Sequence, residues 1–157
     1  MPNNRGKAFE AKFKTDFQKS FPEGTIDRIY DVTSGHKMVS NICDFLGYNY
    51  PNIFYLECKS HLGNTFPLAN LTQYDKLKDK VGIKGVRVGV ILWMIDHDTV
   101  MYVPLSTITK MKEDGKKSVN IKMLADNTYR IIQIPSEKKR VFLDSNYSVL
   151  ASLNDGE

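Results

Sequence analysis

The sequence predicts an α/β or α+β fold, with helices and strands interleaved around one central sheet. Three patterns lead there. Phe9, Phe13, Phe17 and Phe21 recur every fourth residue, which lays one apolar stripe along a helix over residues 4–20. The segment IFYLECK, residues 53–59, has the apolar and aromatic makeup of a strand. The run VRVGVILWMI, residues 86–95, is almost continuously apolar, as a central strand covered on both faces must be.

The other elements follow in order. Pro22 and Gly24 stop the first helix. TIDRIY, residues 25–30, alternates and reads as a strand. Residues 31–41 are polar, with Gly35 in their middle, and read as an excursion from the sheet. A short strand over 43–48 and a turn over 49–52 lead into IFYLECK. Residues 61–70 read as a loop, and Thr72 is placed to cap a helix over 73–80. Residues 96–98 turn into a strand over 100–103, then come a short helix over 105–113 and a strand over 129–134. The last fifteen or so residues carry no clear pattern.

The chain has 157 residues, of which 41% are hydrophobic and 25% charged, so collagen, coiled coil and wholesale disorder are excluded. No repeat or linker divides it, and a single domain over residues 1–157 is expected. The longest apolar run, 88–95, is far short of the ~20 residues that span a membrane. The polar N-terminus lacks the apolar region of a secretory leader, so a cytoplasmic protein is expected. Two cysteines make no disulfide framework, which suits a reducing compartment. A net charge of +4 permits a polyanionic partner.

Four acid-x-base triplets occur, at Glu10/Lys12, Glu57/Lys59, Asp114/Lys116 and Glu137/Lys139, a number of the order chance supplies. Only Glu57 and Lys59 fall on a strand, where residues two apart share a side. Phe54, Leu56 and Cys58 then face the core, and Tyr55, Glu57 and Lys59 face the other way. A carboxylate and an ammonium side by side are costly to bury, so the pair is either exposed or functional. Asp44 lies thirteen residues upstream of Glu57, and a hairpin would make the two acids converge. Two carboxylates with backbone and water oxygens suit Mg²⁺. Lys59 beside such an ion could orient or deprotonate a water, or stabilise charge on a phosphate. That is the chemistry of phosphodiester hydrolysis. An exposed hairpin bearing an ion pair worth about 0–1 kcal/mol accounts for the same residues.

Asp44…Glu57-Cys58-Lys59 resembles the motif of the PD-(D/E)xK nuclease superfamily. The chain more specifically resembles the RecU family of Holliday-junction resolvases, in a short phage-type form. NRGKAFE at residues 4–10, VSNICDFLG at 39–47, YLECKS at 55–60, NTFPLANLTQYDKL at 64–77 and VPLS at 103–106 follow the family's order. Cys43 stands where the superfamily has proline.

The resemblance implies a restriction-endonuclease-like domain with a mixed central sheet flanked by helices. It implies a homodimer that cuts four-way DNA junctions by paired, Mg²⁺-dependent nicks leaving 5′-phosphates, with Mn²⁺ able to substitute. A phage-encoded member would work in the host cytoplasm. It also implies a stalk, for which residues 31–41 are the candidate. Asp44, Glu57 and the Cys58 carbonyl would hold metal, Lys59 would assist the water, Glu10 would complete the acidic cluster, and Gln73 would lie near the same cleft. Arg5, Lys7, His36 and Lys37 would contact DNA.

Plainer roles exist for several of these. Glu10 can pair with Lys14 on its helix, and Gln73 suits a routine first helical turn. Cys43, Cys58, His36 and His61 lack the close cysteine spacing of a zinc site. Trp93 reads as core. Lys110, Lys112, Lys116, Lys117 and the basic stretch 138–140 suit phosphate contacts and solvated loops equally.

Overall fold

The computed structural model describes residues 4–157. The first three residues, part of the expected domain and of its polar N-terminus, lie outside the described residues.

Helix α1 (Asn4–Ser20) buries Phe9, Phe13 and Phe17 on the expected stripe, and Phe21 continues it just beyond the helix. Strand β1 (Thr25–Arg28) follows. The polar excursion is a separate hairpin of β2 (Val32–Ser34) and β3 (Lys37–Val39), turning at Gly35 with φ of +60°. Strands β4 (Phe45–Asn49) and β5 (Asn52–His61) form the expected hairpin. Then come β6 (Thr65–Pro67), α2 (Tyr74–Leu77), β7 (Val86–Met94), β8 (Thr99–Pro104) and α3 (Leu105–Glu113). The C-terminal part adds β9 (Ser118–Asn120), β10 (Ile132–Ile134), β11 (Ser136–Lys138) and β12 (Leu143–Ser145).

The main sheet has the order β1-β4-β5-β7-β8-β10. Strands β5 and β7 run parallel, and the other neighbours are antiparallel. The result is a mixed sheet flanked by helices, as expected. On one face, Phe45, Phe54, Leu56, Cys58, Ile91 and Trp93 pack against the α1 stripe. On the other, Val88, Val90 and Leu92 pack against Leu71, Leu77, Leu105, Ile108 and Met111. Strand β7 therefore needs apolar residues on both sides, which explains its unbroken run. Trp93 is core, with ring centroids 5.4 Å from Phe9 and 5.3 Å from Phe142.

Three expectations need correction. The helix over 73–80 is only α2 followed by one 3₁₀ turn, Lys78–Lys80, and neither Thr72 nor the Gln73 side chain caps it. The Gln73 amide is drawn instead to Asn41. The strand expected over 129–134 begins only at Ile132, where pairing with β8 starts. The C-terminal stretch is structured: β11 and β12 pair, and Tyr147 and Leu150 reach the α1 core.

Gly89 interrupts the apolar run of β7 for a steric reason. A Cβ there would lie 2.5 Å from the Tyr102 ring, itself fully buried. Gly89→Ala should cost about 1–3 kcal/mol of stability through overpacking. Urea unfolding would read this, and an unchanged midpoint would show that the ring gives way freely.

Candidate active site

The β4–β5 register sets the site. Phe45 pairs with Leu56, so Asp44 meets Glu57 at the next step of the hairpin. Leu56 and Cys58 point toward α1. Glu57 and Lys59 take the opposite side, with Lys59 Nζ 3.9 Å from Glu57 Oε2. The Cys58 backbone N–H donates to Asp44 Oδ2 at 2.9 Å, which fixes that carboxylate against β5. In an extended strand the N–H and C=O of one residue point to the same side. The Cys58 carbonyl therefore looks toward Asp44, beyond the Phe45–Leu56 end of the ladder.

Glu57 is buried rather than exposed, at 2% of its accessible surface. Its Oε1 is buried without a hydrogen-bond partner. Burial first, and the charge of Asp44 second, push its carboxyl up to about 8, against the pull of Lys59. A surface ion pair does not account for this geometry. An orphaned carboxylate oxygen beside a second carboxylate is costly unless a proton or a cation neutralises the pair. The pair, with a backbone carbonyl close by, fits a hard divalent ion that keeps several waters.

Glu10 reaches this place through a residue that sequence reasoning missed. Arg28 Nε donates to Glu10 Oε2 at 3.0 Å, and its Nη2 lies 3.6 Å from Asp44 Oδ1. Arg28 Nη1 donates to the carbonyls of Ile29 and of Asp44, the latter at 3.1 Å. Burial opposes the charge of Arg28, but Glu10 and Asp44 outweigh it and raise its pKa. Glu10 makes this bridge in place of the plainer pairing with Lys14. Among the described residues, no three His, Cys, Asp or Glu side chains gather as a metal cluster. Glu10 is thus joined to Asp44 by a guanidinium, not directly. The available signal was Arg28 sharing the strand face of the buried Ile26.

Gln73 does not touch the carboxylates. Its Nε2 donates to Asn41 Oδ1 at 2.8 Å, at the base of the β2–β3 hairpin. Lys76 holds the same base through the Ser40 carbonyl at 3.0 Å. Arg5 and Lys7 lie in the first turn of α1, exposed. His36 and Lys37 lie exposed at the hairpin turn, in a two-stranded sheet separate from the one that carries the acids. Cys43 and Cys58 are buried free thiols, and burial pushes Cys43 up to about 12 and Cys58 upward. Two of the C-terminal lysines already hold acids: Lys138 meets Asp98 at 2.5 Å, and Lys139 meets Glu137 at 3.0 Å.

With metal removed, folded Glu57 keeps a proton that the unfolded chain releases near 4.5. The folded state binds more protons across that window, so stability should fall as pH rises from about 4.5 to about 8. Glu57→Gln should flatten the profile and stabilise the protein most at the alkaline end. Thermal melts in EDTA across this pH range check it, and parallel wild-type and variant profiles would contradict it.

No protein-family model matches the chain, and no curated protein matches it in sequence. Among solved structures it is similar to Hjc, a Holliday junction resolvase from the archaeal hyperthermophile Archaeoglobus fulgidus. The likeness has a TM-score of 0.54 at 16% identity, over 74% of this chain and 89% of that one. At that identity the likeness is one of fold: the chain has the mixed central sheet and flanking helices of a restriction-endonuclease-like fold.

Proposed function

We propose that the chain is a metal-dependent endodeoxyribonuclease that resolves four-way DNA junctions by paired nicks leaving 5′-phosphates. In this reading it is a RecU-type member of the PD-(D/E)xK superfamily, of the short phage kind, acting as a homodimer in the cytoplasm. One observation carries the proposal. Buried Glu57 meets Asp44 at one end of the β4–β5 ladder, with Lys59 beside them, in a fold shared with a resolvase.

Asp44, Glu57 and the Cys58 carbonyl would hold Mg²⁺, with Mn²⁺ as a substitute. When bound, such an ion supplies a Lewis acid for the scissile phosphate and lowers the pKa of a bound water. The Cys58 N–H keeps Asp44 turned toward Glu57. Lys59, about a third exposed, orients the attacking water or meets the phosphate. Glu10 holds Arg28, and Arg28 holds the backbone of Asp44. Gln73 braces the hairpin base beside the cleft. Arg5, Lys7, His36 and Lys37 contact DNA phosphates, and selectivity comes from shape more than from base reading. Two protomers match the two-fold symmetry of the junction.

The arginine within the acidic site favours a second reading, a DNA-binding module in which Arg28 is the permanent counter-ion. A labelled immobile junction and a linear duplex of the same sequence separate the two. With Mg²⁺ we expect paired nicks on the junction alone, none in EDTA, and none with Asp44→Asn. Lys59→Ala should slow cleavage about 10²–10⁴-fold. Binding without cutting establishes the module, and equal cutting of both substrates removes the junction specificity.

A further inference from the structure

A groove of about 470 Å³ runs between the exposed side of α1 and the end of β1, lined by Lys7, Glu10, Lys14, Arg28, Tyr30 and Phe45. Glu10 and Arg28 form its floor, and Arg28 pairs with Asp44 at 3.6 Å. Arg28 is therefore shared between the groove and the carboxylate site. Lys7 and Lys14 stand two helical turns apart, about 10 Å, and neither forms an ion pair among the described residues. The one acid in the groove is already matched by Arg28 at 3.0 Å, so it does not set a bare negative charge against an anion. Tyr30 is 72% exposed, although a large aromatic ring gains by being covered. The Arg28 guanidinium lies over the ring at 5.2 Å from its centroid, and the rest of the ring is open.

We infer that this groove receives an unstacked nucleotide from the strand entering the carboxylate site, its base on Tyr30 and its flanking phosphates on Lys7 and Lys14. The inference rests on the nuclease reading and adds what that reading lacks, a place where an unpaired base at a branch is recognised. The chemistry fits one occupant. A flat π-face covers an exposed ring, and two unpaired cations flank it, which is how single strands are held without reading sequence. An acidic peptide would use the lysines but would leave the tyrosine ring uncovered. The Arg28 bridge gives Tyr30 a fixed backing, so the ring does not have to be ordered when a base arrives.

The test uses the full chain in EDTA, with a short oligothymidylate as probe and a blunt duplex and polyglutamate as controls. Trp93 is 2% exposed and should not respond to the probe, so Tyr30→Trp adds a reporter at the groove. Its emission should be quenched by oligothymidylate and not by the duplex or polyglutamate. Tyr30→Ala should weaken oligothymidylate binding about 5- to 100-fold and leave duplex binding unchanged. Lys7→Gln with Lys14→Gln should lower the salt slope of single-strand binding by about 1.4. Unquenched Tyr30→Trp emission, unchanged binding by Tyr30→Ala, or equal competition by polyglutamate would each overturn the inference. If the wild type cuts junctions while these variants bind normally, only the groove assignment fails. If the wild type binds no DNA in any form, the nuclease reading fails as well.

Discussion

Glu57 can be buried only because strand β5 is held on both edges. Strand β4 fixes one edge in antiparallel register and β7 the other in parallel. Together they remove the freedom that would let the carboxylate turn to water. The alternation of β5 then decides the rest. Phe54, Leu56 and Cys58 are spent on the α1 face, so Glu57 and Lys59 must emerge on the opposite one. A one-residue slip in the β4–β5 ladder would exchange the faces and put the carboxylate into the phenylalanine cluster. The phenylalanine stripe is thus the force that sets the register, and the acidic pair is its consequence.

The charges at this end of the sheet are arranged in two layers. Inside, burial and the charge of Asp44 hold Glu57 in its protonated form, and its Oε1 has no hydrogen-bond partner. Outside, Arg28 gathers Glu10, Asp44 and two backbone carbonyls around one guanidinium. A planar fork of five donors can do this, and a lysine could not. The outer layer is complete in the protein alone, whereas the inner one is short of positive charge. That contrast favours Glu57 and Asp44, not Glu10, as the place where a cation would be drawn.

Much of this was legible in the residues. The phenylalanine spacing fixes α1, the unbroken run of β7 announces a strand covered twice, and the thirteen-residue interval from Asp44 to Glu57 suffices for a hairpin. Less could be read where side chains override local preference. Gln73 and Lys76 turn toward the hairpin base, and α2 stays one turn long. Arg28 escaped notice because its partners lie 18 and 16 residues away and depend on α1 packing against β1 and β4. The C-terminal pairing of β11 and β12 rests on contacts with α1, which no local pattern encodes: Asp16 accepts from the Ser145 backbone N–H at 3.0 Å.

The β2–β3 hairpin leaves the sheet between Ile29 and Asn41 and closes on itself there, where Asn41 Nδ2 donates to the Ile29 carbonyl at 2.9 Å and the Asn41 N–H donates to Asp31 at 2.7 Å. The same asparagine takes the Gln73 amide, and it sits three residues before Asp44. Ile29, at the other foot of the hairpin, donates its own N–H to the Asp44 carbonyl at 2.8 Å. Both feet of this arm therefore stand on one carboxylate-bearing segment. Moving either foot would disturb hydrogen bonds next to Asp44, so the base of the hairpin and the acidic pair share one anchoring network.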